Sequence, residues 1–199
     1  MKVVCLDMEG VLTPEIWQHV ARRTGLAELN LTTRDVKDYR ELMDRRIVVC
    51  AKAGLTLEAI QSYTAELPVF EGAREFVDWI RERYQLVILS DTFYEFAGHF
   101  MRQLGQPTLF CHTIAYQAGT GKLEYALRQE NSKGQAVRAL KSLNFRVCAA
   151  GDSYNDIHML READCASFFR APANITADFP EYGNLDRYDD LKGFIAANL

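Results

Sequence analysis

The sequence predicts an α/β fold: a parallel sheet core flanked by helices, with an all-helical cap inserted after the first strand and a small β-hairpin. Three observations predict it. Short apolar runs rich in β-branched residues alternate with stretches of helical periodicity, the pattern of a sheet covered by helices. The runs are continuously apolar rather than alternating, so each strand is expected to be buried on both faces, as in a parallel sheet. Residues 13–67 carry helical patterns and no strand signal, so they interrupt the alternation. A core built this way is Rossmann-like.

The first strand is "KVVCL" (2–6), which runs into Asp7, Glu9 and Gly10. Thr13-Pro14-Glu15 then reads as a helix start, with Thr as N-cap, Pro at the first helical position and Glu in the first turn. That helix is expected to stop at Gly25, a second to run from about Thr33 to Gly54, and a third from Thr56 to about Leu67, before Pro68. The expected domains are therefore a core of residues 1–12 and 68–199 and a helical cap of residues 13–67. In the core, a helix over 72–83 leads to the strand "QLVILS" (85–90) and a helix over 92–104. Two partly alternating runs flank a Gly-Thr-Gly turn in 111–128, which reads as a hairpin. A helix over 133–143, the strand "RVCAA" (146–150), a helix over 155–163 and the strand "CASFF" (165–169) follow.

Composition narrows the function classes. The 199 residues carry a net charge of −4, so no basic surplus points to nucleic acid or an anionic membrane. No apolar stretch approaches the roughly 20 residues of a membrane span, and the N-terminal run is too short for a signal peptide. The five cysteines are scattered without a C-x-x-C pair and read as reduced core residues, and a cytoplasmic location is expected. The four histidines show no metal-ligand spacing and read as packing or surface residues.

Ligands of an open parallel sheet bind beyond the carboxyl ends of its strands. The first strand ends in Asp7-Met8-Glu9, the second in Ser90-Asp91-Thr92, the third in Gly151-Asp152-Ser153-Tyr154-Asn155-Asp156, and Lys133 opens a helix. Taken singly, such an Asp is often a helix N-cap, such a Ser a turn residue and such a Lys a solvated charge. Together, several carboxylates facing one lysine repel one another unless a cation sits among them, and a hard cation such as Mg2+ suits carboxylates, waters and a phosphate.

In this order the residues resemble the haloacid dehalogenase superfamily of aspartyl-phosphate phosphatases. Its D-x-D-x-[TV] motif stands as Asp7-Met8-Glu9-Gly10-Val11, its apolar run ending in Ser or Thr as "VILS", its lysine as Lys133, and its G-D-x-x-x-D as Gly151 to Asp156. The helical insertion is similar to the cap of the phosphoserine phosphatase branch. "DMEGVLTPEIW" and "LSDTFYEF" resemble the ThrH-type subfamily of bifunctional phosphoserine phosphatases and homoserine phosphotransferases. The resemblance implies that Asp7 is the nucleophile and Glu9 the acid–base. It implies Mg2+ held by Asp7, Asp152 and the Glu9 backbone carbonyl. It assigns Ser90, Asp91, Lys133 and Asn155 to the phosphate, with Asp156 orienting the lysine from behind. Phosphoserine and homoserine are the implied small-molecule partners, in serine and threonine biosynthesis, and a homodimer the implied assembly. Glu9 departs from the Asp usual in the superfamily; its longer arm would suit a bulkier acceptor, with Gly10 leaving room for it. Asp91-Thr92 departs from the glycines common in phosphoserine phosphatases and narrows the pocket.

On a helical wheel of about 100° per residue, Val36, Tyr39, Met43, Ile47 and Cys50 share a face with Arg46, while Arg45 points away. A guanidinium on an apolar face either snorkels, pairs with a cap carboxylate, or awaits a ligand. Capture of a substrate carboxylate suits its forked donors. Glu15 would complement it by taking the substrate ammonium; otherwise it serves the helix dipole. Two other expectations compete with this one. A phosphatase for another small phosphomonoester would keep the chemistry and change the cap contacts. A signalling receiver would carry its phosphoacceptor after a middle strand and have no cap, whereas Asp7 follows the first strand.

Overall fold

The computed structural model describes residues 1–33, 35, 36 and 38–199. Seven strands form one sheet: β1 (Lys2–Leu6), β2 (Gln85–Phe93), β3 (Thr108–Tyr116), β4 (Leu123–Ala126), β5 (Arg146–Gly151), β6 (Cys165–Phe169) and β7 (Asn184–Leu185), in the order β4-β3-β2-β1-β5-β6-β7. All neighbours are parallel except the β3–β4 hairpin. β1 lies at the centre, with Val4 beside Leu86 on one flank and Cys148 on the other. Its side chains enter two cores. Val4 and Leu6 pack with Phe76, Val77 and Ile80 of α4 (Ala73–Arg81) and Phe96 and Phe100 of α5 (Tyr94–Gln103). Val3 and Cys5 pack with Val137 of α6 (Ser132–Ser142) and Leu160 of α7 (Ile157–Glu162). Burial on both faces is what made these runs continuously apolar.

Among the described residues, three α-helices occupy the stretch after β1: α1 (Ile16–Thr24), α2 (Tyr39–Ala53) and α3 (Leu57–Thr64). α1 ends at Gly25 and α2 at Gly54, each glycine in the left-handed conformation that closes a helix. Their starts differ from expectation. The Thr13 hydroxyl donates to the Met8 carbonyl instead of capping α1. Glu15 takes the N-cap position, and the Glu9 carboxylate accepts the Ile16 N–H at 2.8 Å. α2 begins later than Thr33, because short acidic side chains capture the backbone donors ahead of it. Asp35 accepts from the Thr32 N–H, and Asp38 from the Glu41 N–H as N-cap. Arg34 and Lys37, inside the expected helix, lie outside the described residues. α3 starts as expected under the Thr56 cap but ends at Thr64, before Leu67.

Two further differences concern the core. β2 continues to Phe93, with a register shift against β3 between Leu89 and Phe93 that takes Ser90 and Asp91 out of the ladder. Such irregularities redirect side chains near active sites. The first arm of the hairpin also serves as a parallel strand of the main sheet, Val87 pairing with Thr108. At the C-terminus, α8 (Ala173–Asp178), β7 and α9 (Tyr188–Asn198) have no counterpart in the sequence expectation. Among the described residues no helix is long and apolar enough to cross a membrane. No disulfide joins the cysteines; all but the half-buried Cys165 are buried.

Candidate active site

The carboxyl ends of β1, β2 and β5 and the first turn of α6 meet at one place. Asp7 leaves β1 with its N–H on the Ala150 carbonyl, so its position is fixed by the central strand pair. Its Oδ1 accepts from the Met8 N–H at 2.7 Å and lies 2.9 Å from Lys133 Nζ. Lys133 is buried and donates to Asp156 at 2.6 Å. The other oxygen of Asp156 accepts from the N–H groups of Asp152 and Ser153, so this carboxylate holds both the lysine and the β5 loop. A side chain at Gly151 would begin 2.4 Å from Asp156, which explains the glycine there.

Asp152 lies over the turn after β1. Gly10 has φ +81°, and a Cβ on it would stand 2.4 Å from the Asp152 carboxylate. The space beside Gly10 is therefore filled by Asp152. One oxygen from each of Asp7, Asp152 and Asp156 lies within 4.8 Å of the others. With Asp156 committed to Lys133, Asp7 and Asp152 are the pair suited to a hard divalent cation, and their all-oxygen chemistry fits one.

The electrostatics follow from burial. Burial pushes the Asp7 carboxyl well above the usual range, Asp156 and Asp152 add to the rise, and Lys133 opposes it. Burial alone would lower the Lys133 ammonium, but Asp156, Asp7 and Asp91 outweigh it and hold the pKa above its ordinary value. Burial, with the nearby Glu15 carboxylate, raises Glu9 to about 8 against the opposing Ile16 N–H bond. Glu9 is therefore protonated at neutral pH and able to give a proton.

Asp7, Glu9, Ser90, Asp91, Asp152 and Asn155 line one small cavity of about 50 Å³, with Glu15, Trp17, Tyr39 and Arg46 of the helical stretch on its other side. Arg46 is buried. Its Nη2 donates to the Leu31 carbonyl at 2.7 Å, and its guanidinium lies 4.9 Å from the Trp17 ring centroid. Its Nε is buried and has no hydrogen-bond partner among the described residues. Arg45 is exposed and pairs with Glu41, as the wheel predicts.

Two residues expected to bind phosphate are engaged elsewhere. The Asp91 carboxylate accepts from Asn155 Nδ2 at 2.8 Å and Ser132 Oγ at 3.2 Å, so what Asp91 has for a phosphate is its backbone. The Asn155 side-chain oxygen is held by the Ser153 hydroxyl. Two residues near the site escaped sequence reasoning. His112 is buried with Nε2 3.3 Å from Asp91, and the Tyr39 hydroxyl donates to the Asp91 carbonyl. The signal for His112 was its place on a strand reaching the same sheet edge, hidden while β3 was read as hairpin alone. Tyr39 looked like one more apolar position on the α2 wheel.

The sheet thus brings a buried carboxylate–lysine–carboxylate chain to its strand ends, the place where α/β enzymes of this architecture bind their ligands. Residues 1–164 match the model of the haloacid dehalogenase-like hydrolases, and the chain belongs to that family. It is 52% identical to the protein named phosphoserine phosphatase ThrH of Pseudomonas aeruginosa, over 96% of this chain and 94% of that one. It is 50% identical to a phosphoserine phosphatase of Pseudomonas syringae pv. tomato, over 96% of this chain and 81% of the relative. Among solved structures, the phosphoserine phosphatase of T. onnurineus in complex with NDSB-201 matches with TM-score 0.70 and 27% identity, covering 98% of this chain and 94% of that chain.

Proposed function

We propose that this protein is a Mg2+-dependent phosphoserine phosphatase working through an aspartyl-phosphate on Asp7, and that it also passes the phosphoryl group to homoserine. The observation that carries the reading is the buried Asp7–Lys133–Asp156 chain facing a cavity walled by Glu15 and Arg46. Asp7 attacks phosphorus as the bond to the serine oxygen breaks. Glu9, protonated at neutral pH, gives its proton to the leaving alkoxide. Water or the homoserine hydroxyl then returns a proton to Glu9 and attacks phosphorus, releasing Asp7. Ser90 and Lys133 donate to the phosphoryl oxygens. Asp7, Asp152 and the Glu9 carbonyl would hold Mg2+, which when bound offsets charge on those oxygens.

Arg46 takes the substrate carboxylate and Glu15 its ammonium, with residues 13–67 acting as a cap over the site. The unpartnered Arg46 Nε supports this, since a buried guanidinium donor without an acceptor is costly. Homoserine as acceptor is supported by the 52% identity to a protein named phosphoserine phosphatase ThrH and by the longer acid at position 9.

One incubation with phosphoserine, Mg2+ and homoserine tests the proposal, following free phosphate and phosphohomoserine together. Both products should form, Asp7→Asn should form neither, and chelation with EDTA should abolish turnover until Mg2+ is restored. Phosphate without phosphohomoserine would remove the transferase half. Turnover of another phosphomonoester but not phosphoserine would remove the roles of Glu15 and Arg46.

A further inference from the structure

Asp91 stands apart from the acidic cluster of Asp7, Asp152 and Asp156. Its two oxygens face donors from three separate segments. Oδ1 lies 3.3 Å from His112 Nε2 on β3 and 3.2 Å from Ser132 Oγ at the start of α6. Oδ2 accepts from Asn155 Nδ2 at 2.8 Å and lies 3.8 Å from Lys133 Nζ. A carboxylate surrounded in this way is no ligand for an anionic phosphoryl group, yet it sits one residue from Ser90 at the same strand end.

His112 is buried on β3. Its Nδ1 accepts the backbone N–H of Arg128 at 3.1 Å. A ring nitrogen that accepts carries no proton, so the neutral imidazole bears its proton on Nε2, the atom 3.3 Å from Asp91 Oδ1. The backbone beyond the β-hairpin thereby fixes the tautomer of a ring that faces Asp91, and the other Asp91 oxygen faces Asn155 and Lys133.

The arrangement matters most after the first chemical step. Lys133 is held by Asp156 at 2.6 Å and Asp7 at 2.9 Å, with Asp91 farther off. Once Asp7 is esterified, its bond to phosphorus forming as the serine P–O bond breaks, it loses its negative carboxylate charge. Asp156 and Asp91 are then the carboxylates left around the lysine.

We propose that Asp91 and His112 form a positioning pair for phosphoryl transfer: Asp91 orients Lys133 and Asn155, and His112, locked as the Nε2–H tautomer by the Arg128 backbone, orients Asp91. The proposal rests on the reading of Asp7 as the phosphorylated residue.

The test compares wild type with Asp91→Asn, His112→Phe, His112→Gln and the double variant Asp91→Asn/His112→Phe. Turnover of phosphoserine and of p-nitrophenyl phosphate is measured beside capture of beryllium trifluoride at Asp7, read by fluorine NMR in the presence of Mg2+. Asp91→Asn and His112→Phe should each lower kcat by roughly 10–100-fold, the range for groups that orient a reacting residue, with KM changed far less. His112→Gln, which keeps an N–H donor near the same place, should recover most of the loss. The double variant should be no worse than either single one, as expected of residues acting as a unit. Beryllium trifluoride capture should weaken in parallel. Melting temperatures separate misfolding from mispositioning: equal losses of kcat and stability that multiply in the double variant would overturn the pair, as would kcat within twofold of wild type in Asp91→Asn. Capture without phosphoserine turnover sinks the substrate reading and leaves the pair standing on the capture data. Neither capture nor turnover in wild type sinks both.

Discussion

Gly10 holds φ +81°, with the Asp152 carboxylate where a side chain would begin. Gly10→Ala therefore meets two penalties. A left-handed backbone costs an L-residue about 1–2 kcal/mol, and the new methyl group drives Asp152 from its place beside Asp7. Chemical denaturation should show at least the backbone loss, and turnover of phosphoserine should fall with it. Glu9 gives a second expectation at this scale. Its carboxyl titrates near 8 in the folded protein against 4.5 ordinarily, so the folded state keeps a proton that the unfolded chain has lost. Metal-free protein should lose stability as pH rises from about 4.5 to about 8, since there the native state binds more protons. Glu9→Gln should flatten that slope in pH-dependent urea melts, and should lower turnover by about 10²–10⁴-fold. Asp7, Glu9, Lys133, Asp152 and Asp156 are legible in the sequence because each sits a fixed step past a strand or at a helix start, and Ser90 because it closes an apolar run, although β2 continues beyond it. The destination of a side chain is not legible that way. Asp91 and Asn155 turn toward each other because of donors supplied by β3 and α6, which no local spacing encodes.

At the level of elements, strands buried on both faces are the most legible parts, and short C-terminal pieces the least. α8 spans six residues and β7 two, too few for a period to emerge, and Pro172 and Pro180 divide the segment. α9 nonetheless bears on the site. Tyr188, its first residue, stacks between Phe76 and Phe169 with ring centroids at 4.8 Å and 5.1 Å. Its hydroxyl donates to the Val11 carbonyl at 2.7 Å, in the turn that follows Asp7 and Glu9. Tyr188→Phe keeps the stacking and leaves a buried carbonyl without that donor, so a loss of about 1–3 kcal/mol is expected in urea denaturation. The late start of α2 is a local compromise: Asp38 holds the Glu41 N–H, a donor that a helix beginning at Thr33 would have used in its own ladder.

Across the whole molecule, the helices after β1 are tied to the sheet by side chains rather than by strand pairing. Tyr39 reaches the Asp91 carbonyl, Tyr125 donates to Asp44 at 2.7 Å, and Tyr116 donates to Glu58 at 2.6 Å. Of these three ties only the Tyr39–Asp91 one borders the cavity that Asp7 lines. Tyr39→Phe removes it and should loosen α2 against the sheet. Hydrogen exchange in α2 should quicken in that variant while exchange in β1 stays unchanged.

The central placement of β1 has a consequence for time. The Asp7 N–H is bonded to Ala150 across the middle of the sheet, so that amide exchanges with solvent only when the sheet itself comes apart. Arg46 sits on α2 and Glu15 at the start of α1, outside the sheet. Hydrogen exchange is therefore expected to run on two clocks, a slow one at the Asp7 amide and a faster one in the helices that face it.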